Sequence, residues 1–169
     1  GKNGVVSSAD GRASEAGVEM LRAGGNAVDA AVATAFAIGV VEPHMSGLGG
    51  SGSALVWIEE EGRPYYLDFY AAQNADSFRG HTDGPRPPGD LRIVGIPGNV
   101  AGLLELHERW GKLPLEQVMA PAIRLAEEGF AVGPILAEMI AREERKLKRF
   151  PEGAARYWPN DEPLRPGAI

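Results

Sequence analysis

Small and apolar side chains fill residues Ala27–Val41 almost without interruption, so this stretch reads as a helix buried on most of its sides. Asn26 stands at its front, where a side-chain oxygen can accept the unpaired amides of a first turn. Glu42-Pro43 ends it, because proline disfavours helical geometry in the residue before it. Upstream, residues 12–23 place Val18, Met20 and Leu21 toward an apolar face. Gly24 stops that helix, being free to adopt the left-handed backbone conformation. Val5-Val6-Ser7-Ser8 reads as a short strand. Residues 53–58 and 63–69 are extended runs separated by Glu59-Glu60-Glu61-Gly62, the pattern of an antiparallel hairpin with a polar turn.

Residues 71–91 are of another kind: glycine and proline crowd them, and large apolar side chains are few. They read as a long loop of the sort that serves as a lid or binding loop. Behind Pro97-Gly98 the pattern predicts a helix over Asn99–Trp110, closed by Gly111. Pro114 suits the first position of a further helix that runs to Glu128, is disturbed at Pro121 and stops at Gly129. A third helix is expected over residues 134–148, and residues 150–169 are proline-rich without periodicity. Three late helices beside so little sheet predict an α+β fold whose sheet is completed elsewhere. Residues 1–169 are then one incomplete domain.

Composition narrows the function. The 169 residues carry a formal net charge of −6 and are 44% apolar, which fits a globular protein and excludes a phosphate-tracking basic stripe. The richest basic patch, residues 142–149, is interleaved with Glu143 and Glu144, so it reads as a solvated helix face and no nucleic-acid partner is expected. Cysteine is absent, which excludes disulfides and thiolate catalysis. The apolar helix spans only 15 residues and includes Asp29, too short for membrane insertion. Residues 1–4 lack the charged-then-apolar pattern of an export leader, and the compartment stays open.

Among groups that could carry chemistry, His44, His81 and His107 lie in unrelated segments without metal-ligand spacing. Gly50-Ser51-Gly52 lacks the outer spacing of a serine-hydrolase elbow. Glycines 47, 49, 50 and 52 could form an anion nest, but no Lys-Ser/Thr pair follows them; close approach of helix and strand is the simpler role. Asn26 and Asp29 read as a cap and a first-turn charge, and Asp68 as a hydrogen-bond acceptor at a strand end.

The order of motifs is itself informative. Gly24-Gly25-Asn26-Ala27-Val28-Asp29-Ala30-Ala31-Val32-Ala33 precedes Gly47-Leu48-Gly49-Gly50-Ser51-Gly52 and Asp68-Phe69. Gly95-Ile96-Pro97-Gly98-Asn99-Val100-Ala101-Gly102, Trp110-Gly111, Pro114-Leu115 and Pro121-Ala122-Ile123-Arg124-Leu125-Ala126-Glu127-Glu128-Gly129-Phe130 follow. This series resembles the beginning of the large subunit of gamma-glutamyltransferases, members of the N-terminal-nucleophile hydrolase superfamily. The resemblance implies a four-layer αββα sandwich, made as a precursor that cuts itself to free a threonine at the start of a small subunit. That threonine attacks a gamma-glutamyl amide such as glutathione, its own amine serving as base, and an acyl-enzyme forms. The nucleophile would lie outside this chain. The implied partners are a small amide substrate, the rest of the large subunit and the small subunit; no metal or organic cofactor is implied.

One position departs from the resemblance. In the transferases that favour gamma-glutamyl substrates, an arginine directly after Asp-Phe holds the substrate's alpha-carboxylate; here Tyr70 stands there. A phenol donates one hydrogen bond but cannot neutralise a carboxylate. Arg79 and Arg86, on the neighbouring loop, are the candidate substitutes. Three alternatives follow: gamma-glutamyl cleavage with another cation, a glutaryl or cephalosporin acylase-like specificity, or a scaffold that keeps the fold without catalysis.

Overall fold

A computed structural model describes residues 3–73 and 94–169. Most of the loop expected over 71–91, including Arg79 and Arg86, lies outside the described residues. The elements run α1 (Gly11–Arg22), α2 (Ala27–Val41), β1 (Gly52–Ile58), β2 (Arg63–Phe69), α3 (Asn99–Trp110), α4 (Leu115–Glu128), α5 (Pro134–Arg142), α6 (Glu144–Leu147) and α7 (Pro151–Tyr157), ending in a 3-10 turn (Pro159–Asp161). No helix among them is long and apolar enough to cross a membrane.

Helix α2 is the centre of the packing. It lies against α1, α4 and α3, and Val32, Ala33, Phe36 and Ala37 vanish into the core with Met20 of α1 and Val118 of α4. Its cover comes from helices, while Ala27 and Ala31 stay exposed on one side. The antiparallel hairpin rests on α3. Ala54, Val56, Leu67 and Phe69 pack toward the core, while Leu55, paired with Tyr66, points the other way. That outer face is apolar and bare, with Leu55 75%, Trp57 58% and Tyr66 66% exposed.

The Asn26–Asp29 pair does more than cap a helix. Asn26 accepts the amides of Val28 and Asp29, and the Asp29 carboxylate accepts the Asn26 amide at 2.8 Å, a reciprocal capping box. The same carboxylate, fully buried, also accepts the amides of Lys112 (3.0 Å) and Leu113 (3.2 Å) from the α3–α4 turn. The Asn26 amide group donates to the Trp110 carbonyl at 2.6 Å. His107, without metal-ligand spacing in the sequence, seals this turn through a 2.8 Å hydrogen bond between Nε2 and the Leu113 carbonyl.

At the other end of α1, Asp10 caps the helix and pairs with Arg12. The Arg12 guanidinium lies 4.7 Å from the centre of the Phe130 ring and donates to the Ala131 carbonyl, tying the segment after α4 to the start of α1.

Four sequence expectations need correction. Residues 5–8 have no ladder partner among the described residues and form no strand; Val6 packs against the core instead. Pro114 caps α4 one residue ahead of its first position, and α4 runs on through Pro121. The Gln117 carbonyl that loses its amide partner there belongs to an exposed residue, so water can take the bond. The helix expected over 134–148 breaks at Glu143 into α5 and α6. The proline-rich tail forms α7, whose Pro151 occupies a first-turn position that needs no amide. The chain thereby doubles back, and Trp158 covers Val132, Leu136 and Ile140 in a second, smaller core.

Two outcomes follow. Asp29→Ala leaves several buried amides without an acceptor and should cost about 3–5 kcal/mol of unfolding free energy. Chemical denaturation checks this, and a loss below about 1 kcal/mol would show that the turn does not depend on the carboxylate. The Arg12 side chain holds the Asp10 carboxyl below its ordinary value of 3.8, against the effect of burial. Its contribution is therefore full above that value and lost as pH falls through the lower folded value. The stability gap between the protein and Asp10→Asn should shrink in the acid limb; a gap unchanged there contradicts the assignment.

Candidate functional site

The end of β2, the glycine run and the start of α3 converge on one residue, Phe69. Its ring and backbone lie so close to α3 that a Cβ built on Gly98 would fall 2.1 Å from the Phe69 carbonyl oxygen. One built on Gly102 would fall 2.0 Å from ring atom Cγ. Glycine is required at both positions by contact alone. Positions 98 and 102 sit one turn apart on a single helix face, so the spacing in Gly98-Asn99-Val100-Ala101-Gly102 is the imprint of a helix laid against that side chain.

The glycine run is tied into the same corner. The Gly50 amide donates to the Gly47 carbonyl, and the Gly50 carbonyl accepts the amides of Gly98 (3.2 Å) and Asn99 (3.1 Å). The Asn99 side chain donates to the Gly47 carbonyl at 2.9 Å. The run is a tight turn pinned to the start of α3, its Gly50 amide taken by the Gly47 carbonyl. A Cβ on Gly47 or Gly49 would meet nothing within 4 Å, so close approach accounts for Gly50 and Gly52 but not for those two. Beyond Phe69, Ala72 and Ile96 exchange both backbone hydrogen bonds at 3.2 and 2.8 Å. Residues 69–72 are thus held at both ends.

Strand alternation sends Asp68 and Tyr70 to the side opposite Phe69. Asp68 is the hydrogen-bond acceptor expected of it: its Oδ1 takes the Tyr70 amide at 2.9 Å. The Tyr70 side chain is 74% exposed on this fixed backbone. Of the sequence candidates, the structure places Tyr70 and Asp68 together; His44 lies in the turn after α2 and His107 in the α3–α4 clasp. Arg79, Arg86 and His81 fall outside the described residues. Among the described residues, no three histidine or acidic side chains are grouped to hold a metal ion. The residues the sequence reading missed are Gly98, Asn99 and Gly102, and the signal available was that four-residue glycine spacing.

A sequence model of gamma-glutamyltranspeptidase matches residues 13–169, and the chain belongs to the gamma-glutamyltranspeptidase family. It is 39% identical to a glutathione hydrolase proenzyme of Bacillus subtilis, over 99% of this chain and 30% of that protein. It is 38% identical to the acylase ACY 1 proenzyme of a Pseudomonas species, over 99% of this chain and 32% of the relative. The crystal structure of gamma-glutamyltranspeptidase from Helicobacter pylori superposes with a TM-score of 0.87 at 30% identity, over 99% of this chain and 50% of that one. The chain is therefore a mixed α+β portion of the αββα fold of the N-terminal-nucleophile hydrolases, as expected from the sequence. The chain spans about a third of the length of these curated relatives.

Asn99→Ala removes the side-chain tie to Gly47. It should lower stability by about 1 kcal/mol in chemical denaturation, because the bond is half-buried and neutral. An unchanged midpoint would mean that the backbone bonds to Gly50 hold the corner alone.

Proposed function

We propose that this chain is the N-terminal portion of the large subunit of a gamma-glutamyltransferase-like enzyme that cleaves gamma-glutamyl amides such as glutathione. The nucleophilic threonine lies outside it. On this reading the threonine hydroxyl adds to the amide carbonyl while its own amine takes the proton. The amine product leaves, and water or an amino acid then accepts the acyl group. The bare apolar face of the hairpin supports the reading. In a sandwich of this kind each sheet meets helices on one side and a second sheet on the other. The second sheet would be completed by the remainder of the large subunit and the small subunit.

The observation that carries the site assignment is Tyr70, an exposed side chain on a backbone fixed at Phe69 and Ala72. It occupies the position where the family resemblance puts a carboxylate-binding arginine. The same observation favours a second reading, an acylase-like specificity for glutaryl or related side chains. A glutaryl group keeps the carboxylate of the gamma-glutamyl group and lacks only its alpha-amine. Related acyl groups without a distal carboxylate need no cation at that position, and one of the relatives is an acylase proenzyme.

The complete protein, assayed with gamma-glutamyl and glutaryl anilides, separates the two. Tyr70→Arg should raise kcat/KM for the gamma-glutamyl anilide by about tenfold to a hundredfold, the worth of one charge-assisted hydrogen bond. The glutaryl anilide, which carries the corresponding carboxylate, should gain in parallel. No gain on either substrate would remove position 70 from substrate recognition.

A further inference from the structure

We infer that Gly98 and Gly102 are positioning residues that fix where residue 70 meets the substrate, acting through Phe69. The inference rests on the reading of position 70 given above and adds to it the part of the fold that sets specificity. Among the described residues little holds the Tyr70 side chain, which is 74% exposed. Its place is set by its neighbours: the carboxylate of Asp68 on its amide, the Ala72–Ile96 bridge two residues on, and Phe69 directly before it. Of these, Phe69 has the least freedom. Its carbonyl lies against the Gly98 backbone and its Cβ–Cγ bond against Gly102, with no room for a single added carbon.

A methyl group at position 102 would overlap the Phe69 Cβ and Cγ, at 2.4 and 2.0 Å. Ordinary carbon contacts need about 3.5–4.0 Å, so strand end and helix must part by roughly 1.5 Å. A displacement of about 1 Å at a substrate-contacting group can cost on the order of a hundredfold in rate. Gly52 provides an internal contrast. A Cβ there would meet only the tip of the ring, at 3.0 Å from Cε2, which a small tilt of the ring relieves without moving the backbone.

The test uses the complete protein with gamma-glutamyl and glutaryl anilides, and reads KM, kcat and the ratio of kcat/KM between the two substrates. Gly102→Ala should raise KM for the preferred substrate about tenfold and change the selectivity ratio, with kcat per folded molecule nearly kept. Phe69→Leu, which loosens the seat without overfilling it, carries the test if Gly102→Ala does not fold; it should move KM and the ratio in the same direction, by about threefold. Gly52→Ala should leave both unchanged. Val118→Ala, a core truncation in α4, is the stability-matched control: it should lower Tm without moving KM or the ratio. The inference is overturned if Gly102→Ala and Phe69→Leu lower only Tm and active fraction, as Val118→Ala does. Tyr70→Ala in the same assay separates the two levels. If it shifts KM while the seat variants do not, only the positioning inference falls; if it too is silent, the reading of position 70 falls with it.

Discussion

A single buried carboxylate underlies the geometry of this chain. Asp29 is sealed from solvent, and its two oxygens are shared between its own helix start and the turn that joins α3 to α4. A charge in that setting is tolerable only while amides surround it. It therefore dictates where the end of α3 must lie relative to α2. Helix α3, placed in this way, presents Gly98 and Gly102 to Phe69, and Phe69 sets the backbone of residue 70. Position 70 is thus the last link of a sequence of contacts that begins in the core, some forty residues earlier in the chain.

Local chemistry was legible wherever one segment contained its own reason. The cap at Asn26, the left-handed Gly24 and Gly129, the hairpin and the acceptor role of Asp68 all rest on neighbours within a few residues, and the structure holds each of them. What escaped was contact across the chain. Nothing in Gly24 to Ala31 announces that its carboxylate will bind amides 83 and 84 residues away. The glycines at 98 and 102 likewise give no sign in the sequence of Phe69, the residue they accommodate. The break at Glu143 lies in a run of good helix formers, and only the return of Trp158 onto α5 accounts for a chain reversal there. Residues 5–8 show the converse error: β-branched residues predict a strand, and a strand exists only where a partner supplies the ladder.

The departure at Tyr70 acquires its meaning from this rigidity. On a mobile loop, replacing a cation by a phenol would be a minor change, since a neighbouring charge could swing in. On a backbone pinned on both sides, the reach and chemistry of the side chain at position 70 are fixed by the strand end. A fork that neutralises a carboxylate becomes a single hydroxyl on an apolar ring. On the proposed reading, the fold keeps one way of breaking an amide bond while exchanging the acyl groups it admits, with recognition at the end of one strand and the reacting hydroxyl supplied from outside this chain.

The central claim is that this chain helps to build an enzyme whose nucleophile is created by self-cleavage. Intact mass and N-terminal sequencing of the complete protein after purification test it most directly. The account predicts two chains, the smaller beginning with threonine, and a single uncut chain once that threonine is replaced by alanine. A precursor that stays whole under folding conditions, or a cut that exposes a residue without a side-chain nucleophile, would contradict it.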